Sequence, residues 1–240
     1  MVAMAWAALA IIGGVSAVSA VMNAPAKDGI PAPLRSVLEA NGRLASSLAS
    51  NSNSAEKYDR KFAEKPRYNG GIGMSAGFDP STWKLHFVGG KGDNLTIEDI
   101  KKLPSTEIVT RFKCVEGWSQ IVQAKGVKFS DFLKVYGPDL GGEAPSEKTL
   151  SKLPLWVGLE TPDKEYYVGV DMKSMLHPQT LLCYEMDGKP LPDEHGAPLR
   201  LVIPIKYGIK SLKRIGTLTL TNERPRDYWF ERGYDYYAGH

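Results

Sequence analysis

The residue whose type and neighbours most clearly suggest chemistry is Cys114, which lies in the run RFKCVEGWS over residues 111–119. Basic neighbours favour the thiolate form of a cysteine, and the thiolate is the form that binds a soft metal ion. Farther along the chain, residues 195–213 form a block that is dense in glycine and cations. A soft ligand and such a block together predict a metal ion held jointly by the protein and an anionic organic cofactor.

Four short patterns occur in order between residues 114 and 213: C-x-E-x-W-S, H-P-x-T, G-A-P-x-R-L-x-x-P and K-Y-G-x-K-x-x-K. A lone C-x-E-x-W would be a weak signal, whereas the ordered set is specific. With this order and spacing, residues 68–226 resemble the molybdopterin-binding domain of the sulfite oxidase family. Within that family the resemblance is to the catalytic subunits of bacterial periplasmic protein-methionine-sulfoxide reductases.

The resemblance implies a molybdenum–molybdopterin cofactor, with Cys114 as the metal ligand and the catalytic residue. It also implies that Arg200 and Lys213 bind anionic oxygens of the cofactor, a role that suits a guanidinium and an ammonium group. The cofactor-binding residues that the resemblance implies are Asn69, Ile72, Gly73, Thr161, His195, Arg200, Ser211, Leu212 and Lys213.

The sequence departs from the family pattern at two of these places. Glycines follow Asn69 where the family has aromatic and acidic residues, and His195 stands where the methionine-sulfoxide reductase branch has asparagine. Both departures lie in the expected cofactor pocket, so the substrate of that branch does not transfer directly to this chain.

Cys183 has two interpretations. It could form a disulfide with Cys114, since these are the two cysteines of the chain. The run Thr180-Leu181-Leu182-Cys183-Tyr184 is apolar, however, and favours a small buried side chain. We prefer the buried thiol, because Cys114 has a role as a metal ligand.

Several polar side chains near the motifs also have two interpretations. Lys206 and Lys210 are either cofactor contacts or ordinary surface lysines, and His177 either reaches the pterin region or is a core histidine. Alternation along a strand places Arg111 and Lys113 on the face opposite Cys114, where they either serve anions or are solvated.

Apolar alternation and turn signals predict the elements that position these residues. Alternating or β-branched runs predict strands over 82–88, 107–112, 155–159, 165–170, 199–203 and 217–221. Two short helices are expected, over 96–103 with Thr96 as N-cap and over 130–136 ending at Gly137. Many short strands and few short helices predict a mixed, β-rich α+β fold, which the resemblance specifies as the sulfite oxidase type.

Composition and missing motifs narrow the function classes. The chain has 240 residues and a formal net charge of +3, without a long run of basic residues, so nucleic-acid binding is not indicated. No G-x-S-x-G motif or P-loop occurs, which argues against serine hydrolysis and P-loop nucleotide chemistry.

The N-terminal third of the chain differs from the rest. Residues 1–26 carry no charge, and the apolar stretch is long enough for a helix to span a bilayer. We therefore expect a transmembrane anchor over residues 1–22, with a cleaved signal peptide as the alternative. Residues 23–65 are expected to form a flexible tether, and residues 66–240 the molybdopterin-binding oxidoreductase domain.

From the resemblance we expect an oxidoreductase that catalyses two-electron oxygen-atom transfer, either sulfoxide reduction or sulfite-type oxidation. Its electrons would pass to or from a membrane haem b or quinone-linked subunit, and its substrate would be a small molecule or a sulfoxide. The expected location is the membrane, with the domain on the periplasmic side. The alternative is an accessory subunit of a larger membrane electron-transfer complex that keeps the fold but lacks turnover.

Overall fold

Two β-sheets form the centre of the fold in the computed structural model, which describes residues 2–48 and 54–240. The strands, numbered in chain order, are β1 Ala26–Lys27, β2 Ile30–Pro31, β3 His86–Val88, β4 Ser105–Lys113, β5 Ser119–Lys128, β6 Trp156–Glu160, β7 Tyr167–Asp171, β8 Leu181–Met186, β9 Lys189–Pro190, β10 Arg200–Val202 and β11 Thr217–Thr221. The larger sheet has the order β10-β8-β5-β4, with β9 paired to β8, and its pairings are antiparallel. The second sheet has the order β3-β11-β6-β7, in which β3 and β11 are parallel and the other pairs antiparallel.

A short helix joins the two sheets into one core. The α-helices are α1 Val2–Met22, α2 Ala32–Leu48, α3 Ile97–Lys101, α4 Phe129–Tyr136 and α5 Met172–Met175. Phe129 and Phe132 of α4 are fully buried and belong to the same apolar cluster as Leu182 of the larger sheet and Leu218 of the second sheet. Burial of these aromatic side chains contributes apolar area that holds the two sheets together.

The β4–β5 hairpin is the part of the larger sheet that matters most for the site. Its pairing ends with Lys113 opposite Ser119, so residues 114–118 form the connecting turn. On its other edge β5 pairs with β8, and a Cβ atom at Gly126 would lie 2.1 Å from the Leu182 carbonyl oxygen. Glycine is required at this position because the two backbones approach too closely for a side chain.

The α+β class expected from the sequence is confirmed, and several elements lie where the sequence predicts them. β11 covers the predicted residues 217–221, and Thr96 is the N-cap of α3 as expected. Thr96 and Asp99 form a capping box, in which each side chain bonds the other's backbone N–H group. The N-terminus of α4 differs from the prediction. The helix begins at Phe129, directly before the predicted start, and the Phe129 N–H donates to the Thr180 carbonyl oxygen at 3.1 Å.

The N-terminal region differs in part from the expected anchor and tether. Met1 and residues 49–53 lie outside the described residues. In the part of the chain that is described, no helix combines the length and apolar content that a membrane crossing requires. Residues 23–65 include α2, whose Arg35 is fully buried, and Tyr58, whose N–H donates to the Val109 carbonyl oxygen at 3.0 Å. Parts of the expected tether therefore pack against the domain, because the Tyr58 N–H and the Arg35 guanidinium bond to residues of the domain.

Two of the open interpretations are decided by burial. Both cysteines are free, and Cys183 is fully buried, so the disulfide interpretation is wrong. The surface-lysine interpretation of Lys206 and Lys210 is also wrong, because their exposed fractions are 2% and 1%. Lys206 donates to Asp171 at 3.2 Å, which compensates its charge in the interior.

The buried ion pair of Lys210 and Asp227 links the cation-rich segment to the C-terminal segment. Neither side chain is more than 2% exposed. The Lys210 ammonium group also donates to the Gly169 carbonyl oxygen of β7 at 3.0 Å and lies 4.4 Å from the centre of the Tyr236 ring. Asp227 accepts from the Gly169 N–H at 3.2 Å and from the Phe230 N–H at 3.0 Å. Both charges thus have partners on every side, as a buried pair requires.

We predict that Lys210→Met lowers the free energy of unfolding by about 3–5 kcal/mol, because it leaves the Asp227 carboxylate buried without a countercharge. Lys101→Met is the matched control, since its ion pair with Glu98 at 3.2 Å lies on the surface and its loss should change stability little. Urea denaturation followed by circular dichroism measures both variants. An equally small loss in the two variants would contradict the structural role of the buried pair.

Candidate functional site

A cavity of about 210 Å³ opens where four segments of the chain meet. Its wall is built from the loop that precedes β3, the turn between β4 and β5, the segment after β9, and the C-terminal segment. The predicted site residues that line it are Asn69, Ile72, Cys114, His195, Arg200, Ser211 and Lys213. Folding therefore brings residues from distant parts of the sequence into one place.

Cys114 is presented to the cavity by the turn of the β4–β5 hairpin. Its N–H donates to the Trp118 carbonyl oxygen at 2.9 Å, and its carbonyl oxygen accepts from the Gly117 N–H at 3.1 Å. Gly117 has φ of +88°, a left-handed conformation that favours glycine at this place in the turn. The Cys114 side chain is 8% exposed, so its thiol is accessible only through the cavity.

The two basic neighbours of Cys114 point away from the cavity. The Arg111 guanidinium donates to the Tyr58 hydroxyl oxygen at 2.7 Å and 2.9 Å, and the Lys113 ammonium group lies 3.2 Å from Nδ1 of His240. Strand alternation predicts this arrangement, since Phe112 and Cys114 share the cavity face. Neither cation is therefore placed to serve an anion beside the thiol.

The expectation that neighbouring cations favour the Cys114 thiolate is wrong for the cofactor-free protein. Burial raises the pKa of the Cys114 thiol, and the Glu116 carboxylate raises it further. A metal ion at this place would have to displace the thiol proton, which makes its binding favourable at higher pH.

Glu116 connects the turn to the loop that carries Asn69. The Glu116 carboxylate accepts from the Trp118 indole N–H at 2.9 Å and from the Asn69 side-chain amide at 3.3 Å. The same amide lies 3.8 Å from the Cys114 sulfur. The Arg67 guanidinium stacks 4.9 Å from the centre of the Trp118 ring. These contacts hold the loop against the turn, so that both line the cavity.

Arg200 is a buried cation without a carboxylate partner among the described residues. Its guanidinium donates to the carbonyl oxygens of His195 at 3.2 Å and Ser211 at 3.3 Å. Its Nε atom has no hydrogen-bond partner. Burial lowers the pKa of Arg200, because removal from water disfavours the charged form of the guanidinium.

Lys213 is the second cation in the cavity wall. Its ammonium group donates to the carbonyl oxygens of Asn69 at 3.0 Å, Gly70 at 2.6 Å and Glu194 at 3.2 Å. Burial and the charges of Arg200 and Arg214 lower the pKa of Lys213 to about 8. Lys213 therefore holds the Asn69–Gly70 backbone over the cavity, and its charge is only partly stabilised.

His195 and Ser211 complete this wall. Burial lowers the pKa of His195, and the charge of Arg200 lowers it further, so its imidazole is neutral near pH 7. The Ser211 hydroxyl oxygen accepts from the Ile203 N–H at 3.3 Å. This wall therefore combines two cationic donors, Arg200 and Lys213, with a neutral imidazole and a hydroxyl group.

Three predicted residues lie outside the cavity lining. Thr161 is buried, and its hydroxyl donates to Asp163 at 2.6 Å and accepts from the Tyr166 N–H at 3.1 Å. Gly73 has φ of +74°, and a Cβ atom there would lie 2.6 Å from Thr161. Leu212 belongs to the apolar core. Gly73 and Thr161 therefore act on the cavity through Tyr166, which does line it.

His177 is a core histidine. It is 2% exposed, does not line the cavity, and accepts at Nδ1 from the Gln179 N–H at 3.2 Å. Burial lowers its pKa, so the ring is neutral. Its Nε2 atom has no partner.

Sequence reasoning missed the aromatic part of the wall. Trp118, Tyr166, Trp229 and Tyr234 all line the cavity. The Tyr166 hydroxyl donates to the Ile209 carbonyl oxygen at 2.6 Å, and the rings of Trp229 and Tyr234 are in edge contact at 5.0 Å. The available signals were the C-x-E-x-W-S pattern for Trp118 and the density of aromatic residues over 227–240 for Trp229 and Tyr234. Neither signal says which ring faces a site.

Comparisons with known proteins show which family of domains this chain resembles. Residues 72–229 match the family described as the oxidoreductase molybdopterin binding domain. The chain is 37% identical over 163 residues to the putative protein-methionine-sulfoxide reductase subunit YedZ1 of Azospira oryzae. The aligned region covers 67% of this chain and 57% of that protein. It is also 35% identical over 164 residues to the protein-methionine-sulfoxide reductase catalytic subunit MsrP of Campylobacter jejuni. This aligned region covers 66% of this chain and 55% of that protein.

The similarity covers only part of each of these proteins. The chain spans somewhat more than half the length of these two relatives. Among solved structures, the sulfane dehydrogenase SoxCD from Paracoccus pantotrophus superposes with a TM-score of 0.50 at 20% identity, covering 61% of this chain and 40% of that chain. At this identity the likeness shows a common fold.

We predict that iodoacetamide alkylates Cys114 slowly at neutral pH and faster only in alkaline solution, because the raised pKa keeps the thiol protonated and only the thiolate reacts. Glu116→Gln removes a negative charge beside the sulfur, which lowers the pKa and should accelerate alkylation at a fixed pH. The measurement is mass spectrometry of cofactor-free protein in a Cys183→Ala background. Fast labelling at neutral pH, or a slower rate in Glu116→Gln, would contradict the electrostatics described for the thiol.

Proposed function

The chain belongs to the family of oxidoreductase molybdopterin-binding domains, and we propose that it binds a molybdenum–molybdopterin cofactor and catalyses two-electron oxygen-atom transfer. The composition of one cavity carries this proposal. The Cys114 thiol lines it together with Arg200 and Lys213, two cations that have no carboxylate partner among the described residues. Such a wall suits a ligand that contains both a soft metal ion and an anionic group.

The residues fit the cofactor on a physical criterion. A buried guanidinium without a countercharge costs several kcal/mol, and the cost is recovered when an anion binds to it. Arg200 has an unused Nε–H donor, and Lys213 has an ammonium group whose present partners are neutral backbone carbonyls. A phosphate group would supply the missing negative charge to both.

The proposed roles follow from the positions of the side chains. Cys114 would be the protein ligand of the metal ion, and Arg200, Ser211 and Lys213 would bind the anionic end of the cofactor. Asn69, Ile72 and His195 would bind its remaining surface, since they line the same cavity. Gly73, Thr161 and Leu212 would act indirectly, by holding Tyr166 and the core behind the wall.

When bound, the molybdenum–molybdopterin group supplies the capacity for oxygen-atom transfer with two electrons. The chain supplies binding, orientation and the thiolate. Glu116 orients Asn69 and Trp118 beside Cys114 through its hydrogen bonds. The aromatic side chains of the wall exclude water from part of the cavity.

We propose sulfoxide reduction as the direction of the reaction, and an organic sulfoxide as the substrate. The relatives named above are protein-methionine-sulfoxide reductase subunits. The rings of Trp118 and Tyr166 in the cavity wall support the same substrate class, because sulfur groups make favourable contacts with aromatic rings. In such a reaction the sulfoxide takes up two electrons and two protons, and its oxygen leaves as water.

The electron partner and the location are further parts of the proposal. We propose a membrane haem b or quinone-linked subunit as the partner, since the relatives are themselves named as subunits. We also propose that the domain lies on the periplasmic side. Ile12, Val15 and Val18 of α1 are each more than 60% exposed, which leaves an apolar surface for such a partner. Co-purification of haem from membranes with the full chain, and its loss when residues 1–22 are deleted, would support this arrangement.

We predict that Arg200→Ala and Lys213→Ala each lower cofactor affinity about ten- to a hundredfold, because each removes a charge-assisted contact worth about 1.5–3 kcal/mol. Lys113→Ala is the matched control, since that lysine adjoins Cys114 but faces away from the cavity. Molybdenum and pterin content per folded protein is the measurement, with circular dichroism as the check of folding. Full occupancy in both cavity variants would show that these cations do not bind the cofactor.

We predict that the loaded wild-type protein reduces methionine sulfoxide with a reduced dye as electron donor, and that Cys114→Ser keeps its fold but loses turnover. Serine is nearly isosteric with cysteine but is a harder donor, so metal chemistry changes more than stability. Cys183→Ser is the control for the other thiol. A loaded wild-type protein that turned over neither sulfoxide nor sulfite would favour the accessory-subunit alternative, and normal turnover in Cys114→Ser would remove Cys114 as ligand.

A further inference from the structure

Arg35 of α2 is a buried cation outside residues 72–229, which are the residues matched to the family. Its guanidinium donates to the carbonyl oxygens of Phe230 and Tyr234, each at 2.8 Å, and to the carbonyl oxygen of Asp28. It also lies 4.1 Å from the centre of the Phe230 ring. One side chain thus joins the N-terminal hairpin, α2 and the C-terminal segment.

The C-terminal segment that Arg35 holds is part of the cavity wall. Tyr234 lines the cavity and is 39% exposed, so it lies at the rim of the cavity. Its N–H donates to the Trp229 carbonyl oxygen at 3.0 Å, and its ring is in edge contact with the Trp229 ring. Trp229 also lines the cavity. A displacement of the Tyr234 backbone would therefore move both rings of the rim.

The whole inner face of α2 is shaped for this contact. Gly42 lies seven residues after Arg35 and therefore on the same side of the helix. A Cβ atom at Gly42 would lie 3.1 Å from the Asp235 carboxylate and 3.4 Å from Tyr237. At Gly29, in the turn between β1 and β2, it would lie 2.5 Å from the Glu231 carbonyl oxygen. The close fit extends along the C-terminal segment and is not confined to one bond.

We propose that Arg35 is a positioning residue for the rim of the cavity, where it fixes Tyr234 and Trp229 so that they contact the part of a substrate beyond its reacting group. The forked guanidinium is needed because three carbonyl oxygens from two segments converge on it. A lysine ammonium group on a flexible stem does not match that geometry. The consequence for substrates rests on the proposed sulfoxide reduction, whereas the positioning of the rim does not.

The first measurement is hydrogen–deuterium exchange of the full chain, read in peptides that cover residues 228–236. Arg35→Met should raise exchange there by about tenfold or more, because local opening no longer breaks the bonds to Phe230 and Tyr234. Arg35→Lys should give an intermediate increase and serves if Arg35→Met does not fold. Arg224→Met is the matched control. Arg224 also stacks on Phe230, at 4.7 Å, and pairs with Glu39 of α2 at 3.8 Å, but no bond from it to a rim carbonyl is present among the described contacts.

The second measurement compares KM for two sulfoxides of different size. Arg35→Met should raise KM for a peptide that contains methionine sulfoxide by about tenfold and leave KM for dimethyl sulfoxide within about twofold, because only the larger substrate reaches the rim. Tyr234→Ala should give the same division. Unchanged exchange at 228–236, or equal changes of KM for the two substrates, would overturn the proposal. If the wild-type protein reduces neither sulfoxide, the proposed function fails, and exchange alone decides the positioning role.

Discussion

The buried ion pair of Lys210 and Asp227 is the interaction on which both sides of the cavity depend. Lys210 directly precedes Ser211 and lies three residues before Lys213, and Asp227 lies two residues before Trp229. Because both carboxylate and ammonium groups are withdrawn from water, neither can separate without leaving the other uncompensated. A solvent-exposed pair would be screened and would hold these segments weakly. The two segments that carry lining residues are therefore held together by an ion pair that does not itself line the cavity.

The cations of the late segment divide into two groups according to their partners. Lys206, Lys210 and Arg214 each pair with a carboxylate and serve the fold. Arg200 and Lys213 bond neutral groups and have no carboxylate partner in the described part of the chain, and both line the cavity. Positive potential is thus concentrated where an anionic cofactor would bind, at a cost in stability that binding would offset. Such an imbalance of charge is more informative about a binding site than the number of basic residues is.

The sequence determined those features that depend on neighbours within a few positions. The capping box of Thr96 and Asp99, the hairpin of β6 and β7, and the opposite faces of Arg111 and Cys114 all follow from local hydrogen bonding or from strand alternation. Most of the site residues that the family resemblance implied also line the cavity, because binding residues of a family recur at similar spacing. Local pattern could not tell that α4 begins at Phe129, since its first N–H bonds to a residue of another segment.

Only the tertiary structure decided the features that depend on burial and on distant partners. The pKa of Cys114 is raised, although its sequence neighbours are basic, because those cations lie on the other face and burial disfavours the thiolate. Lys210 and Lys213 stand three residues apart in one motif, yet one is a structural ion pair and the other lines the cavity. The place of Tyr234 at the rim depends on Arg35, which is 199 residues away in sequence. Charge, burial and contact across such separations arise when the segments meet, so no local pattern of residues contains them.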